Sequence, residues 1–192
     1  MPVPVNGRSG RREMGWQDKV PAQGAGRGQA KLQYGALCWR DGDTGVEVLL
    51  ITSRDTGRWV IPKGWPMAGL APEAAAAQEA WEEAGVNGQI NPLCIGRFGY
   101  QKGLSLTATV PCAVAVYGLR VTKQAATFPE VKERQRKWFP LDEAARLVAE
   151  PELSQIIAGF TPPEDGRPAP IAADDDDDNQ RPRRKDGKGR GH

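Results

Sequence analysis

The sequence predicts an α/β domain, a mixed sheet with helices on its faces, and three observations carry that reading. Strand-like runs and amphipathic helical patterns interleave between residues 30 and 160. A short strand, Arg58-Trp59-Val60-Ile61, leads through a loop broken by Gly and Pro into an acidic, Ala-rich helix that starts at Pro72. Two later segments, starting at Leu141 and Glu152, repeat apolar residues every three to four positions, the spacing of one helix face.

Residues 1–29 are rich in Gly, Arg, Pro and Gln, with little to bury beyond Met14, Trp16 and a few valines, and read as a disordered arm. Order is expected from about Lys31. Gln33–Arg40 and Val46–Thr52 are strand-like runs, and Asp41–Gly45 between them is a hairpin signal. After Ile61, Pro62-Lys63-Gly64-Trp65-Pro66 and Ala68-Gly69 read as loop. Pro72 suits a first helical position, Glu73 a first turn, and Gly85 a C-terminal stop. Ile90–Tyr100 is extended, and Ser105–Val110 leads into Ala113–Leu119, with Gly103 in the turn; Pro111 argues for a bulge or an edge. Arg134–Phe139 carries a basic cluster into a last short strand before the two final helices. From Thr161 prolines, five Asp (174–178) and a basic block describe a disordered acidic and basic tail, residues 161–192.

The 192 residues therefore divide into an arm, one domain over 30–160 and a tail, and a net charge of +2 offers no overall field for nucleic acid or membrane. Cys38, Cys94 and Cys112 lie in apolar runs without CxxC spacing and read as reduced core residues. With no apolar run long enough to span a bilayer and no hydrophobic leader, the cytoplasm is the expected location. The single histidine, His192, ends the tail, which removes histidine catalysis and leaves no base for a Ser or Cys nucleophile.

Glu79, Glu82 and Glu83 stand at i, i+3 and i+4 of the acidic helix, so their carboxylates leave one face as neighbours. A solvated helix face accounts for such a pattern. The alternative is neutralisation by a hard divalent cation, which takes oxygen ligands and is commonly shared between carboxylates and substrate phosphates.

Gly64 and the run Gln78-Glu79-Ala80-Trp81-Glu82-Glu83-Ala84-Gly85-Val86 resemble the Nudix box, G-x5-E-x7-R-E-U-x-E-E-x-G-U with U bulky and aliphatic. Leu70 stands where that pattern has an outer Glu, Gln78 where it has Arg, and Ala80 where it has a larger apolar residue. Together with Glu47–Ile51, Arg58–Gly64 and Arg136–Phe139, the chain is similar to the Nudix branch that holds the diphosphoinositol polyphosphate phosphohydrolases. The resemblance implies a Nudix-type α/β/α sandwich and a hydrolase that cleaves a pyrophosphate bond in a nucleoside- or inositol-linked polyphosphate. It implies Mg²⁺, with Mn²⁺ as a substitute, held by Glu79, Glu83 and the Lys63 carbonyl, and catalysis by Glu82 and Glu79, with Glu82 activating or positioning the water.

A phosphorylated small molecule is thus the expected partner, and Ser53, Arg54, Lys102, Arg134 and Arg136 are the candidates to bind it, since Arg grips phosphate bidentately. Trp65 can stack on a base, whereas Trp59 is expected in the core. Two rival readings stay open: a catalytically weak ligand-binding module on the same fold, favoured by Leu70 and Gln78, and an RNA-end processing protein that uses the basic tails.

Overall fold

The computed structural model describes residues 29–103 and 108–163. All but the last residue of the expected arm, the expected tail from residue 164, and most of the turn after Gly103 lie outside the described residues. Strands β1 (Lys31–Gly42) and β2 (Gly45–Thr52) form the expected hairpin, with Gly42 paired to Gly45. Short strands β3 (Trp59–Val60) and β4 (Lys63–Gly64) precede helix α1 (Pro72–Ala84). Long strands β5 (Val86–Gly103) and β6 (Thr109–Gln124) follow, then β7 (Arg136–Pro140) and helices α2 (Leu141–Leu147) and α3 (Pro151–Ala158). No helix among the described residues is long and apolar enough to cross a membrane.

One mixed sheet runs in the order β3-β2-β1-β6-β5, with β4 also paired to β1 and β7 to β2. Its parallel contact is between β1 and β6. Alternation along each strand sorts side chains to two faces. Leu37, Trp39, Val48, Leu50, Val114 and Val116 pack under α2 and α3, which contribute Ala144, Leu153 and Ile157. Ala36, Cys38, Leu49, Ile51, Ala115 and Tyr117 face α1, which contributes Ala76, Ala80 and Ala84. Small residues on that helix stripe let its backbone approach the sheet closely. The result is the expected α/β/α sandwich. Trp59 reaches the core, edge-on to Phe139 with ring centroids 5.1 Å apart.

The loop after Ile61 is not wholly irregular. β1 pairs with β2 only from Trp39 to Gly42; nearer its start it turns to β4, through Tyr34–Gly64 and Gly35–Lys63, and the Ala36 N–H donates to the Pro62 carbonyl at 3.0 Å. β2 in turn pairs with β3 and β7 through Ile51. The segment from Trp59 to Gly64 therefore fills a wedge between diverging strands, which places Lys63 and Gly64 beside α1.

Pro111 takes the expected edge position: β6 is central in the sheet, but the β1 ladder starts one residue later, at Cys112, so Pro111 is paired on the β5 side alone. One local expectation is corrected. Cys94 is exposed, not a core residue, because register shifts on both sides of it break the alternation of β5; Cys38 and Cys112 are buried as expected.

Candidate functional site

The site begins where β4 meets α1. Gly64 lets the Glu79 carboxylate lie directly against the strand, since a Cβ at that position would overlap it and push that side chain away. Pro72 opens α1, and Gly85 closes it in the left-handed conformation at φ 64°, its N–H donating to the Trp81 carbonyl at 2.9 Å. The helix thus holds Glu79, Glu82 and Glu83 in fixed register against the wedge.

Each carboxylate has a different setting. Glu83 is buried; it accepts the Lys63 backbone N–H at 2.9 Å on Oε2 and pairs through Oε1 with Nη2 of Arg134. Burial pushes its carboxyl up, opposed by Arg134 and Lys63. Glu82 accepts a 2.6 Å hydrogen bond from the Gln78 side chain on Oε1. Glu79 is half-buried, and its carboxyl is pushed up to about 7, first by burial and then by the negative charges of Glu83 and Glu82.

Glu83 also forms part of the wall of a cavity of about 410 Å³. Ser53, Arg54, Lys102 and Arg134, four of the five substrate-binding candidates, line that cavity. Arg134 is nearly buried, its side chain 5% exposed, and donates to Glu130 at 2.5 Å and to the Thr52 carbonyl at 3.1 Å besides Glu83. Arg54 lies 3.3 Å from both Glu130 and Glu133. Lys102 stands over the Trp65 ring at 4.6 Å from its centroid, and Ser53 Oγ lies 2.6 Å from Thr56 Oγ1. Trp65 itself is 39% exposed.

Arg136 lies apart from the other four. Its guanidinium donates to the carbonyls of Ala84 at 2.5 Å and Ala125 at 2.6 Å, and it stacks on Phe128, so it ties down the end of α1 and does not line the cavity. Sequence reasoning passed over Arg58, Tyr100 and the side chain of Lys63, which do line it. Tyr100 was within reach, since it stands two residues before Lys102 on one strand and shares its face. Its hydroxyl donates to buried Gln33 at 2.6 Å, and Lys63 Nζ stands 5.1 Å from its ring centroid. Burial pushes the Lys63 ammonium down.

Among the described residues no three Asp, Glu, His or Cys side chains form a ready metal cage. Glu83 accepts the Lys63 N–H and pairs with Arg134, and the Glu79 carboxylate lies against Gly64, so both carboxylates stand beside the short strand that carries the expected Lys63 carbonyl. The donor chemistry nevertheless fits a hard divalent cation. The charges of Glu83 and Glu82 raise the proton affinity of Glu79, a sign of uncompensated negative charge, and the cavity beside them suits a phosphate that would supply further oxygen ligands.

A family model described as the NUDIX domain matches residues 31–160. The chain is 32% identical over 119 residues to Nudix hydrolase 16, mitochondrial, of Arabidopsis thaliana, covering 60% of this chain and 66% of that protein. It is 30% identical over 120 residues to diphosphoinositol polyphosphate phosphohydrolase 2 of Rattus norvegicus, covering 62% and 63% respectively. Among solved structures, the dihydroneopterin triphosphate pyrophosphohydrolase of E. coli superposes with a TM-score of 0.54 at 16% identity, covering 69% of this chain and 97% of that one. The chain spans just under two thirds of those curated relatives' length. With a match over more than half its residues, on a sandwich whose acidic helix packs against Gly64, the chain belongs to the Nudix family.

Proposed function

We propose that the chain is a divalent-cation-dependent hydrolase that cleaves a phosphoanhydride bond in a polyphosphorylated small molecule, of the diphosphoinositol polyphosphate or dinucleoside polyphosphate type. One observation carries this: among the described residues, five cationic side chains, Arg54, Arg58, Lys63, Lys102 and Arg134, share a cavity with two carboxylates, Asp55 and Glu83, beside the acidic face of α1. A densely charged anion is the ligand such a wall favours.

In the reaction a water oxygen bonds to phosphorus, the bond from phosphorus to the bridging oxygen breaks, and the leaving phosphate keeps the electron pair. Glu79 and Glu83 would hold the cation, Mg²⁺ or Mn²⁺, which when bound neutralises phosphoryl charge and acidifies a water. Glu82, with Oε1 anchored by Gln78, keeps Oε2 to position that water and accept its proton. Gln78 orients this carboxylate through a neutral hydrogen bond, at the position where the family pattern has a charged Arg. Arg134 bridges Glu83 and the cavity and would turn toward phosphate once the carboxylate serves the cation. Three cysteines without a disulfide suit the reducing cytoplasm, the location we propose.

The test is product formation from a diphosphoinositol polyphosphate, a dinucleoside polyphosphate and ADP-ribose, each with Mg²⁺ or Mn²⁺. Metal-dependent release of one phosphorylated product from at least one of the first two is expected. Calorimetric binding of all three without turnover would instead identify a ligand-binding module.

A further inference from the structure

We propose that Arg58 is a phosphate-gripping residue of the cavity and that buried Glu150, at the start of α3, is the positioning residue that aims it. The proposal rests on the reading of the cavity as a polyphosphate site.

Arg58 lines the cavity and its Nη2 lies 2.9 Å from Glu150 Oε1. The pair is unequal: the Arg58 side chain is 40% exposed, that of Glu150 only 8%. Glu150 Oε2 is buried and accepts no hydrogen bond among the described residues. A carboxylate buried with half its acceptor capacity unused costs stability, so its presence calls for another explanation. Its charge is directed at the cavity, where it acts on Lys63 and Tyr100 as well as on Arg58.

A guanidinium has five N–H donors in a rigid fork. With Nη2 turned to Glu150, the rest of the fork on Arg58 is left for two phosphate oxygens. The backbone here is fixed independently of the side chain, since Ser53 N–H donates to the Arg58 carbonyl at 2.8 Å and Gly57 N–H to the Ser53 carbonyl at 2.9 Å. Substitution of Arg58 therefore removes the fork and leaves the turn.

The cavity thus holds guanidinium groups anchored from two directions. Arg54 and Arg134 are held by Glu130 and Glu133 before β7 and by Glu83 of α1, whereas Arg58 is held from the turn between α2 and α3. Two separate anchors suit a polyphosphate chain that touches both groups at once.

The experiment is calorimetric binding of inorganic tripolyphosphate to the full chain, with Arg58→Gln, Glu150→Gln and the double variant, alongside KM, kcat and Tm. Arg58→Gln is expected to weaken binding about tenfold, the loss of one charge-assisted contact. Glu150→Gln is expected to weaken it about fivefold with Tm within about 3 °C of wild type. The double variant is expected to bind no worse than Arg58→Gln, because Glu150 acts only through Arg58. On a turned-over substrate the loss falls in KM, with kcat within about twofold. Unchanged binding in Arg58→Gln, additive losses, or a fall in Tm with binding intact would overturn the proposal. If Glu150→Gln does not fold, Arg58→Lys decides: affinity between wild type and Arg58→Gln supports the fork, and wild-type affinity overturns it. Tripolyphosphate binding by wild type without turnover of any substrate would remove the hydrolase reading alone, and no tripolyphosphate binding would remove both.

Discussion

The Glu79 carboxyl ordinarily titrates near 4.5 and is pushed up to about 7 in the folded chain by burial and by Glu83, Glu82 and Glu130, with Lys63 opposing. Between those values the folded chain binds a proton that the unfolded chain has released, so this group's contribution makes stability fall as pH rises through that window. Thermal unfolding in a chelator should show Tm declining from about pH 5 to about pH 7.5, and Glu79→Gln should flatten the slope. An unchanged slope in that variant would show that another group is responsible. Arg136 makes a different prediction. Because it caps the Ala84 and Ala125 carbonyls, Arg136→Met should cost about 2 kcal/mol and leave KM near wild type. A KM rise without loss of Tm would return Arg136 to the substrate site. The sequence groups Arg134 with Arg136 because they are two positions apart and chemically alike. What separates them is what lies opposite, carboxylates for one and the carbonyls at a helix end for the other, and neither is visible in the local pattern.

At the scale of elements, α1 was legible almost residue by residue, since Pro72 and Gly85 punctuate it and alanines fill its sheet-facing stripe. Gly85 sits at φ 64°, and a Cβ there would overlap Phe128. Gly85→Ala should therefore destabilise the chain by more than about 2 kcal/mol, the left-handed cost plus the displaced ring, with the urea midpoint lowered and the m-value kept. A midpoint at the wild-type value would show that the helix end relaxes freely. The two-residue strand β4 was not legible, because so short a strand carries no periodicity and exists only where β1 and β2 diverge. Cys94 was misplaced for a related reason: the register shifts that turn it outward depend on the partner strand β6, not on the residues around it.

Over the whole molecule, one sheet separates two functions of packing. Aliphatic and aromatic side chains line both faces, but α1 meets its face with alanines and brings carboxylates to the wedge. The acidic pattern predicted where charge would gather, whereas the closeness of Gly64 to the Glu79 carboxylate is visible only in the fold. The cavity could not be read the same way, because its walls come from the loop after β2, from β5 and from the segment before β7, far apart in sequence. If the acidic face takes a divalent cation, saturating Mg²⁺ at about 100 times its dissociation constant should stabilise the fold by about 2.7 kcal/mol. That gain should vanish when Glu79 and Glu83 are both replaced by Gln.

The most direct measurement is the rate of phosphorylated-product release from a diphosphoinositol polyphosphate or dinucleoside polyphosphate with Mg²⁺, for wild type, Glu79→Gln and Glu83→Gln, each verified as folded by circular dichroism. The account predicts turnover by wild type and a fall in kcat of at least about 100-fold in both variants. Wild-type turnover by a folded Glu83→Gln chain would contradict it.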